Sequence, residues 1–500
     1  MLFTSALFAF VYLPIVLFGF FALGRYSSRF AAMWLFFASV VFYGYWMPEF
    51  TILLLGSICW NFGVGSRISA LINNSDNYEH RRYARRWLII GISLNLLLLG
   101  YFKYANFFID NLMLLSNQHW QIERIILPIG ISFFTFTQIA FLADTYQQGI
   151  REYAFVHYGL FVTYFPHLIA GPVLHHAQMM PQFREAKTYK INTANIAGGL
   201  AIFAMGLFKK IVLADGISPY ADAIFNAAEL GSIPSFNEAW IAALAYTFQL
   251  YFDFSGYSDM AIGLSWMFNV KLPYNFNSPY QASSISEFWR RWHISLSSFL
   301  REYLYIPLGG NRKGPVRRYL NLIITMLLGG LWHGASWNFV FWGGLHGGYL
   351  VINHGFQAIA SKFNSGLIAN WLFKWTGWLL TMLLVIIAWV FFRATSFSSA
   401  LTILNAMANI QSVTSLNAIH PMLWNLGLAP DLGLLFCLIL GGLAFLLPNS
   451  NHLGEQILSF CRGRTSASPI VIGMSVTIAT LFVLMNSLRS SVSAFIYFNF

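Results

Sequence analysis

Long apolar runs recur along the whole chain, separated by short polar segments, for example at 7–24, 31–47, 88–102 and 378–392. A helix needs about 20 mostly apolar residues to cross a bilayer. The pattern therefore predicts roughly 10 to 13 spanning, re-entrant or deeply embedded helices. We expect an all-α, polytopic membrane protein in which residues 1–500 form one membrane domain.

Positive charges after two of these runs predict the orientation of the chain. Arg25 and Arg29 follow the first run, and four arginines follow a further apolar run near 51–64, the third along the chain: Arg81, Arg82, Arg85 and Arg86. Because loops rich in Lys and Arg stay in the cytoplasm, the N-terminus is predicted to be extracytoplasmic. The first run has neither a basic segment before it nor an A-x-A site after it, so we interpret it as a retained span.

Composition agrees with this interpretation, since 57% of the residues are hydrophobic and only 9% are charged. A soluble domain would carry about 25% charged residues. The net charge of +11 is typical of loops that contact anionic lipids, so membrane lipids and not nucleic acid are the expected partners. The three cysteines form no CxxC pair and indicate no redox site.

The polar residues divide the chain into three parts. Residues 1–150 are spans joined by short loops, and 357–500 contain further spans near 432–447 and 470–487. Residues 151–356 are richer in Pro, Gly, His and charge within apolar sequence, so they are the predicted catalytic core.

Within this core, residues 283–304 are predicted to form one helix. Ser284 and Glu287 have the spacing of a capping box. A broad apolar stripe of this helix would carry Trp289, Trp292, His293, Leu296 and Leu300, while Arg290 and Arg291 would lie at its sides. The basic loop at 307–318 is not a P-loop, because Pro315 stands where Lys is needed.

His333 lies in "GGLWHGASWNF" (329–339), among small and aromatic residues. A membrane histidine can simply bond a carbonyl of a neighbouring helix. Here, however, small residues leave room for backbone or substrate, and His293 also faces apolar surroundings. Desolvation favours the neutral imidazole, which can accept a proton from a hydroxyl. Metal ligation is the competing interpretation, but no HExxH pattern occurs and His346 has no carboxylate beside it.

Acidic residues in "YFDFSGYSDMAIG" (251–263) are a second candidate feature. Asp253, Tyr257 and Asp259 lie in apolar sequence, where charges are costly unless they are paired. We expect these acids to cap helices or to pair with Arg290 or Arg291, and we expect a similar role for Asp215. A serine triad is not favoured, because the segment lacks the first glycine of G-x-S-x-G.

Several of these segments together resemble the membrane-bound O-acyltransferase family, and within it the bacterial alginate O-acetylation membrane proteins. The resemblance rests on 251–263, on "NFNSPYQASSISEFWRRWHISLSSFLREYLYIPLGGNR" (275–312) and on "LLGGLWHGASWNFVFWG" (327–343). It is supported by 99–108, 127–146 and 165–176, and it extends from the first span to about residue 395.

This resemblance implies a helical bundle with a central funnel, in which His333 is the catalytic histidine and His293 occupies a second active-site position. It implies that an acetyl thioester, either acetyl-CoA or an acyl carrier protein, is used on the cytoplasmic side, with no bound cofactor. The acetyl group would pass to an exported polysaccharide with the help of an extracytoplasmic SGNH-type acetyltransferase. The candidate substrate-binding residues are Trp332, Trp289, Arg290, Arg291, Asp253, Tyr257, Asp259 and Asn338.

The segment "FIYFNF" (495–500) resembles the tyrosine motif of a small protein that accompanies D-alanyl-transferring relatives. Tyr497 would then accept the acyl group as a phenolic ester and pass it on. Alternatively, Tyr497 anchors the chain at the bilayer interface. A non-catalytic transporter or flippase of lipid-linked sugar or acyl carrier is the competing function for the whole protein.

Overall fold

A computed structural model describes residues 1–73, 78–118, 120–149, 152, 154–169, 171–174, 176–360, 367–409, 421–464, 466–488 and 495–496. The described residues contain helices and no β-strand. They divide into two compact units. The first comprises Met1–Leu207, Tyr257–Tyr274 and Ser450–Asn499, and the second comprises Phe208–Gly256 and Asn275–Asn449.

The first unit begins with ten α-helices. These are α1 (Leu13–Gly24), α2 (Ser28–Gly44), α3 (Pro48–Asn73), α4 (Tyr78–Leu99), α5 (Ala105–Ser116), α6 (Ile131–Gln148), α7 (Phe155–Thr163), α8 (Phe165–Leu168), α9 (His176–Arg184) and α10 (Thr193–Phe208). Asn61 of α3 and Asn95 of α4 exchange side-chain hydrogen bonds at 2.6 and 3.2 Å. This reciprocal pair satisfies two buried amides between apolar helices.

The second unit contains most of the helices around the candidate site. These are α11 (Asp215–Glu229), α12 (Phe236–Met267, to Gly256), α13 (Ile285–Arg291), α14 (Ile294–Leu300), α15 (Gly314–His333), α16 (Trp337–Ala360), α17 (Leu367–Arg393), α18 (Phe397–Ala408), α19 (Pro421–Asn425) and α20 (Pro430–Leu446). The last two helices of the chain, α21 (Ser450–Gly463) and α22 (Ala467–Ser487), belong again to the first unit.

Glycines allow α15 and α16 to approach closely. A Cβ on Gly330 would overlap the carbonyl oxygen of Phe339 and would come within 3.1 Å of the Gly343 Cα. A Cβ on Gly343 would in turn overlap the carbonyl oxygen of Met326. Because backbone atoms cannot move aside as a flexible side chain can, this helix pair requires glycine at both positions.

Five helical segments among the described residues are long and apolar enough to cross a membrane: Pro48–Asn73, Tyr78–Ser116, Thr193–Glu229, Trp371–Arg393 and Ala467–Ser487. The pair α20 and α21, bent by 58°, gives a sixth if it counts as one span. Three helices are also apolar but shorter: Phe8–Gly24, Ser28–Gly44 and Phe397–Ala408. The predicted all-α, polytopic membrane fold is thus confirmed.

Candidate active site

His333 is the last residue of α15, and a short turn at 334–336 leads into α16. Its imidazole is 3% exposed and is surrounded by aromatic rings. Trp342 of α16 stands perpendicular to it at a centroid distance of 5.0 Å, and Phe392 of α17 lies at 5.3 Å. The predicted apolar surroundings of His333 are therefore present.

The small residues beside His333 make room for protein atoms. Gly330 receives the backbone of Phe339, and a Cβ on Gly334 would overlap the phenyl ring of the same residue. Of the two groups that the sequence allowed in this space, backbone or substrate, the structure places backbone and a phenyl ring there. The glycines thus hold the start of α16 close to the histidine.

His293 lies at a break between two helices, and the prediction of one continuous helix over 283–304 is wrong. Helix α13 ends at Arg291, Trp292 is extended, and His293 has φ 43° and ψ 55°. Helix α14 begins only at Ile294, and a π-helical turn follows at Arg301–Tyr305. His293 consequently does not share an apolar stripe with Trp289. Its left-handed conformation is costly for a non-glycine residue.

Asn275 stabilises this break, and the sequence analysis did not identify it. Its backbone carbonyl accepts the N–H of Ile294 at 2.9 Å. Its side-chain oxygen accepts the hydroxyl of Ser295 at 2.6 Å. These bonds satisfy the first turn of α14, which has no side-chain cap from His293 itself. The left-handed conformation of His293 therefore depends on a residue 18 positions earlier in the chain.

Replacing Asn275 with alanine is expected to lower the free energy of unfolding by about 1 kcal/mol, the usual effect of losing a cap. Because His293 would lose its fixed backbone, any activity that depends on its ring should fall as well. Thermal unfolding and activity assays on the purified variant measure the two effects. The exposed Asn226 provides the control Asn226→Ala, and equal behaviour of both variants would contradict this role for Asn275.

The ring of His293 is fully buried among aromatic side chains. Phe254 contacts it edge-on at 4.8 Å, and Trp332 lies at 6.3 Å. Neither ring nitrogen has a hydrogen-bond partner among the residues that the structure describes. Trp332 also contacts His333 at 5.0 Å, so one indole ring connects the two histidines. The two residues singled out in the sequence are thus brought into one aromatic cluster.

Trp289 contacts a third histidine, His346, which was not among the predicted site residues. Its indole Nε1–H donates to Nδ1 of His346 at 3.3 Å. His346 is fully buried and packs against Trp342 at 4.9 Å. A sequence signal was present, because Asn338, Trp342 and His346 recur every four residues and so share one face of α16. This spacing was not recognised as a signal, because no carboxylate lies next to His346 in the sequence.

Ser284 caps the start of α13 as predicted, whereas Glu287 bonds to the N–H one residue before the one that a capping box uses. Ser284 accepts the N–H of Glu287 at 3.2 Å, while Glu287 accepts the N–H of Ser283 at 2.9 Å. Arg291 pairs with Glu287 at 2.7 Å. Burial alone would raise the pKa of Glu287, but the hydrogen bonds from Ser283 and the charge of Arg291 hold that pKa below its ordinary value. Arg290 is exposed, as are Arg312, Lys313 and Arg317 of the basic loop.

Asp253 pairs with a different cation from the one expected. Its carboxylate lies 2.5 Å from Nζ of Lys210, which also contacts Asp215 at 2.8 Å. The prediction that these acids cap helices or pair with Arg290 or Arg291 therefore named the wrong cation, because Asp253 and Asp215 both pair with Lys210. Lys210 and Asp215 are five residues apart within the π-helical turn Lys209–Ala214 and the residue after it. A π-turn closes on i+5 and so brings these side chains together.

The remaining candidate residues make other contacts. Asn338 donates to the carbonyl of Ala394 at 2.7 Å and so ties the start of α16 to the end of α17. Tyr257 and Asp259 belong to the first unit, where Tyr257 stacks on Phe3 at 5.0 Å and on Phe495 at 4.4 Å. Tyr497 lies outside the described residues. Within the described part of the chain, no three His, Cys, Asp or Glu side chains could share a metal ion.

Comparison with known proteins bears directly on this aromatic cluster. Residues 92–390, which include all three histidines, match the sequence profile described as "MBOAT, membrane-bound O-acyltransferase family". The chain belongs to this family. It is accordingly an acyltransferase, and it is a multi-pass membrane protein.

Individual relatives in the family differ in their acceptors. The chain is 41% identical to the peptidoglycan O-acetyltransferase of Helicobacter pylori over 100% of its own length and 98% of the relative. It is 42% identical to the probable alginate O-acetylase AlgI of Pseudomonas aeruginosa, over 81% of this chain and 75% of that one. The teichoic acid D-alanyltransferase of Streptococcus thermophilus is 28% identical over 45% of this chain and 56% of its own.

Proposed function

We propose that this protein transfers an acetyl group from a cytoplasmic thioester to a hydroxyl acceptor on the far side of the bacterial inner membrane. The acetyl group would then reach a cell-surface polysaccharide. The observation that carries the proposal is the position of His333, buried among aromatic rings at the end of α15 within the residues that match the family. Neutral imidazole in such a site can act as a general base.

The proposed step is a direct acyl transfer. His333 removes the proton of the acceptor hydroxyl while the hydroxyl oxygen attacks the thioester carbonyl carbon. The new C–O bond forms, the C–S bond breaks, and His333 returns its proton to the departing thiolate. Surroundings made of aromatic rings exclude water and so limit hydrolysis of the thioester. His293, whose ring nitrogens lack partners among the described residues, is proposed to orient one of the reactants.

The thioester is proposed to be acetyl-CoA or an acetylated acyl carrier protein, used as a substrate and not as a bound cofactor. Both bring phosphate groups with the acyl arm. The exposed cations Arg290, Arg312, Lys313 and Arg317 suit these phosphates, because guanidinium and ammonium groups form charge-assisted hydrogen bonds with phosphate oxygens.

Peptidoglycan is the acceptor that we favour. The relative named peptidoglycan O-acetyltransferase matches the whole chain, whereas the probable alginate O-acetylase matches 81% of it. An exported polysaccharide of the alginate type is the second candidate, because sequence identity to that relative is equally high. In either case, we propose that an extracytoplasmic SGNH-type acetyltransferase completes the transfer.

The acceptor can be tested by deleting the coding sequence and measuring base-labile acetate on purified peptidoglycan and on exopolysaccharide. We expect acetate to disappear from peptidoglycan, and complementation with the wild-type chain should restore it. Loss from exopolysaccharide alone would favour the alginate-like acceptor. Unchanged acetate on both polymers would contradict the proposed function.

Tyr497 is proposed as an acyl relay, on the strength of the motif in 495–500. Tyr497→Phe removes only the phenolic oxygen, so polymer acetylation should be abolished while the amount of protein in the membrane stays unchanged. Acetate release and immunoblotting of membranes measure the two quantities. Tyr26→Phe, at an exposed tyrosine, is the control. Normal acetylation in the Tyr497 variant would leave interface anchoring as the role of this residue.

A further inference from the structure

Three buried aromatic side chains that each carry a ring N–H group, here called the N–H cluster, pack together around Trp342 in the second unit. Trp342 and Trp389 stack at 5.8 Å with an angle of 18° between their planes, and His346 packs against Trp342 at 4.9 Å. All three side chains are at most 1% exposed. Nε1 of each indole and Nε2 of His346 have no hydrogen-bond partner among the residues that the structure describes.

The protonation of His346 follows from its contact with Trp289. An indole Nε1–H can only donate a hydrogen bond, so Nδ1 of His346 must accept it. A neutral imidazole carries one N–H, which is therefore at Nε2. Both ring positions are thus assigned, and the nitrogen without a partner is the donor.

All three groups without partners are consequently donors of the same kind. Leaving a buried N–H without an acceptor costs free energy. A cation would not relieve this cost, since protonated nitrogens cannot coordinate it. The ligand that fits the cluster is instead an oxygen with partial or full negative charge, such as a carbonyl oxygen or an oxyanion.

This cluster lies beside the proposed base. The ring of Trp342 contacts His333 at 5.0 Å and His346 at 4.9 Å, so a single indole ring separates the two imidazoles. In an acyl transfer, the carbonyl oxygen that gains negative charge lies within a few ångströms of the base. The N–H cluster is therefore close to the place where negative charge develops.

We propose that the N–H groups of Trp342, Trp389 and His346 bind the carbonyl oxygen of the acyl thioester and stabilise its oxyanion. This inference rests on the proposed function. When the acceptor oxygen attacks the carbonyl carbon, the C=O π electrons move onto the carbonyl oxygen, and His333 holds the acceptor proton. When the C–S bond breaks, the C=O bond reforms and the thiolate takes that proton. The three N–H groups exchange no proton.

Variants that keep an aromatic ring at each position and remove the N–H group test this role. In Trp342→Phe, Trp389→Phe and His346→Phe, kcat for acetyl transfer from acetyl-CoA should fall roughly 10²-fold to 10³-fold for each N–H removed. KM should change little, because the oxyanion exists only in the intermediate and its transition states. Acetylated carrier protein should give the same losses, since both substrates share the thioester carbonyl. His346→Gln, which retains an N–H and an acceptor for Trp289, should recover most of the activity.

Stability provides the matched control. Trp240 donates to the carbonyl of Met407 at 3.0 Å, so Trp240→Phe removes a satisfied hydrogen bond and should lower the melting temperature. Trp342→Phe and Trp389→Phe remove donors without partners, so their melting temperatures should fall only by the amount that the smaller buried side chain costs. Activity that falls only in proportion to lost stability would overturn the proposal, as would kcat within twofold of wild type in all three Phe variants.

The wild-type protein separates this inference from the proposed function. If it transfers acetyl groups while the Phe variants keep full activity, only the oxyanion site is wrong. If the folded wild-type protein transfers no acetyl group from either thioester to any glycan fraction or to its own chain, the proposed function is wrong and the oxyanion site fails with it.

Discussion

Replacing His333 with glutamine is expected to lower acetyl transfer by roughly 10²-fold to 10⁴-fold, the range that a general base contributes. Glutamine keeps a polar group of similar length but cannot take up the acceptor proton at neutral pH. The assay follows labelled acetate from acetyl-CoA to the chain itself or to a glycan acceptor, with the purified protein in lipid vesicles. The melting temperature should stay close to that of the wild type although the rate falls, because Trp342 and Phe392 still surround the side chain.

The exposed His452 supplies the matched control, because His452→Gln makes the same chemical change at an exposed position. This control should keep wild-type activity. A transporter or flippase needs no base, so appreciable transfer of substrate by His333→Gln would favour that alternative. Activity within tenfold of wild type would remove His333 from the proposed mechanism.

Replacing Gly330 with alanine is expected to prevent α15 and α16 from packing as they do. The added Cβ would overlap the carbonyl oxygen of Phe339 and press on Gly343, and neither backbone atom can rotate away. Overpacking of this kind costs about 1–3 kcal/mol or more. We expect a lower yield of folded protein, a lower melting temperature and lost activity, because this helix pair holds His333. Fluorescence-detected size exclusion and thermal unfolding measure the first two.

Gly348, also on α16, is the control, since a Cβ there would meet nothing within 4 Å. Gly348→Ala should be neutral or should stabilise the protein by up to about 1 kcal/mol, as alanine favours the helix more than glycine does. If both variants fold and melt alike, close packing at Gly330 does not limit stability.

Features that depend on neighbouring residues could be predicted from the sequence. The capping box at Ser284 and Glu287 acts over three positions, and its spacing alone identified the start of α13. The apolar surroundings of His333 also followed, because aromatic and small residues flank it in the chain. The long apolar runs gave the all-α membrane fold for the same reason, since each helix buries its own backbone hydrogen bonds.

Features that depend on distant partners were missed. Nothing in the segment 283–304 breaks its helical pattern, because the hydrogen bonds that end it come from Asn275. The tautomer of His346 depends on Trp289, which is 57 positions away in the chain. The cation beside Asp253 is Lys210, and the π-turn that places it next to Asp215 has no signature in the pattern of apolar residues. Local spacing cannot reveal such contacts.

The π-helical turn Lys209–Ala214 also restricts how the length of this chain can change. A turn that closes on i+5 holds one residue more than an α-helical turn. Deleting a single residue here would restore the regular helix and rotate everything before it by about 100° relative to everything after it. Lys210 and Asp215 would then be four residues apart and could still pair on one face of the helix, but Lys210 would turn away from Asp253 and the ion pair between them would break. The surplus residue and the three charges are therefore expected to be inherited or lost together.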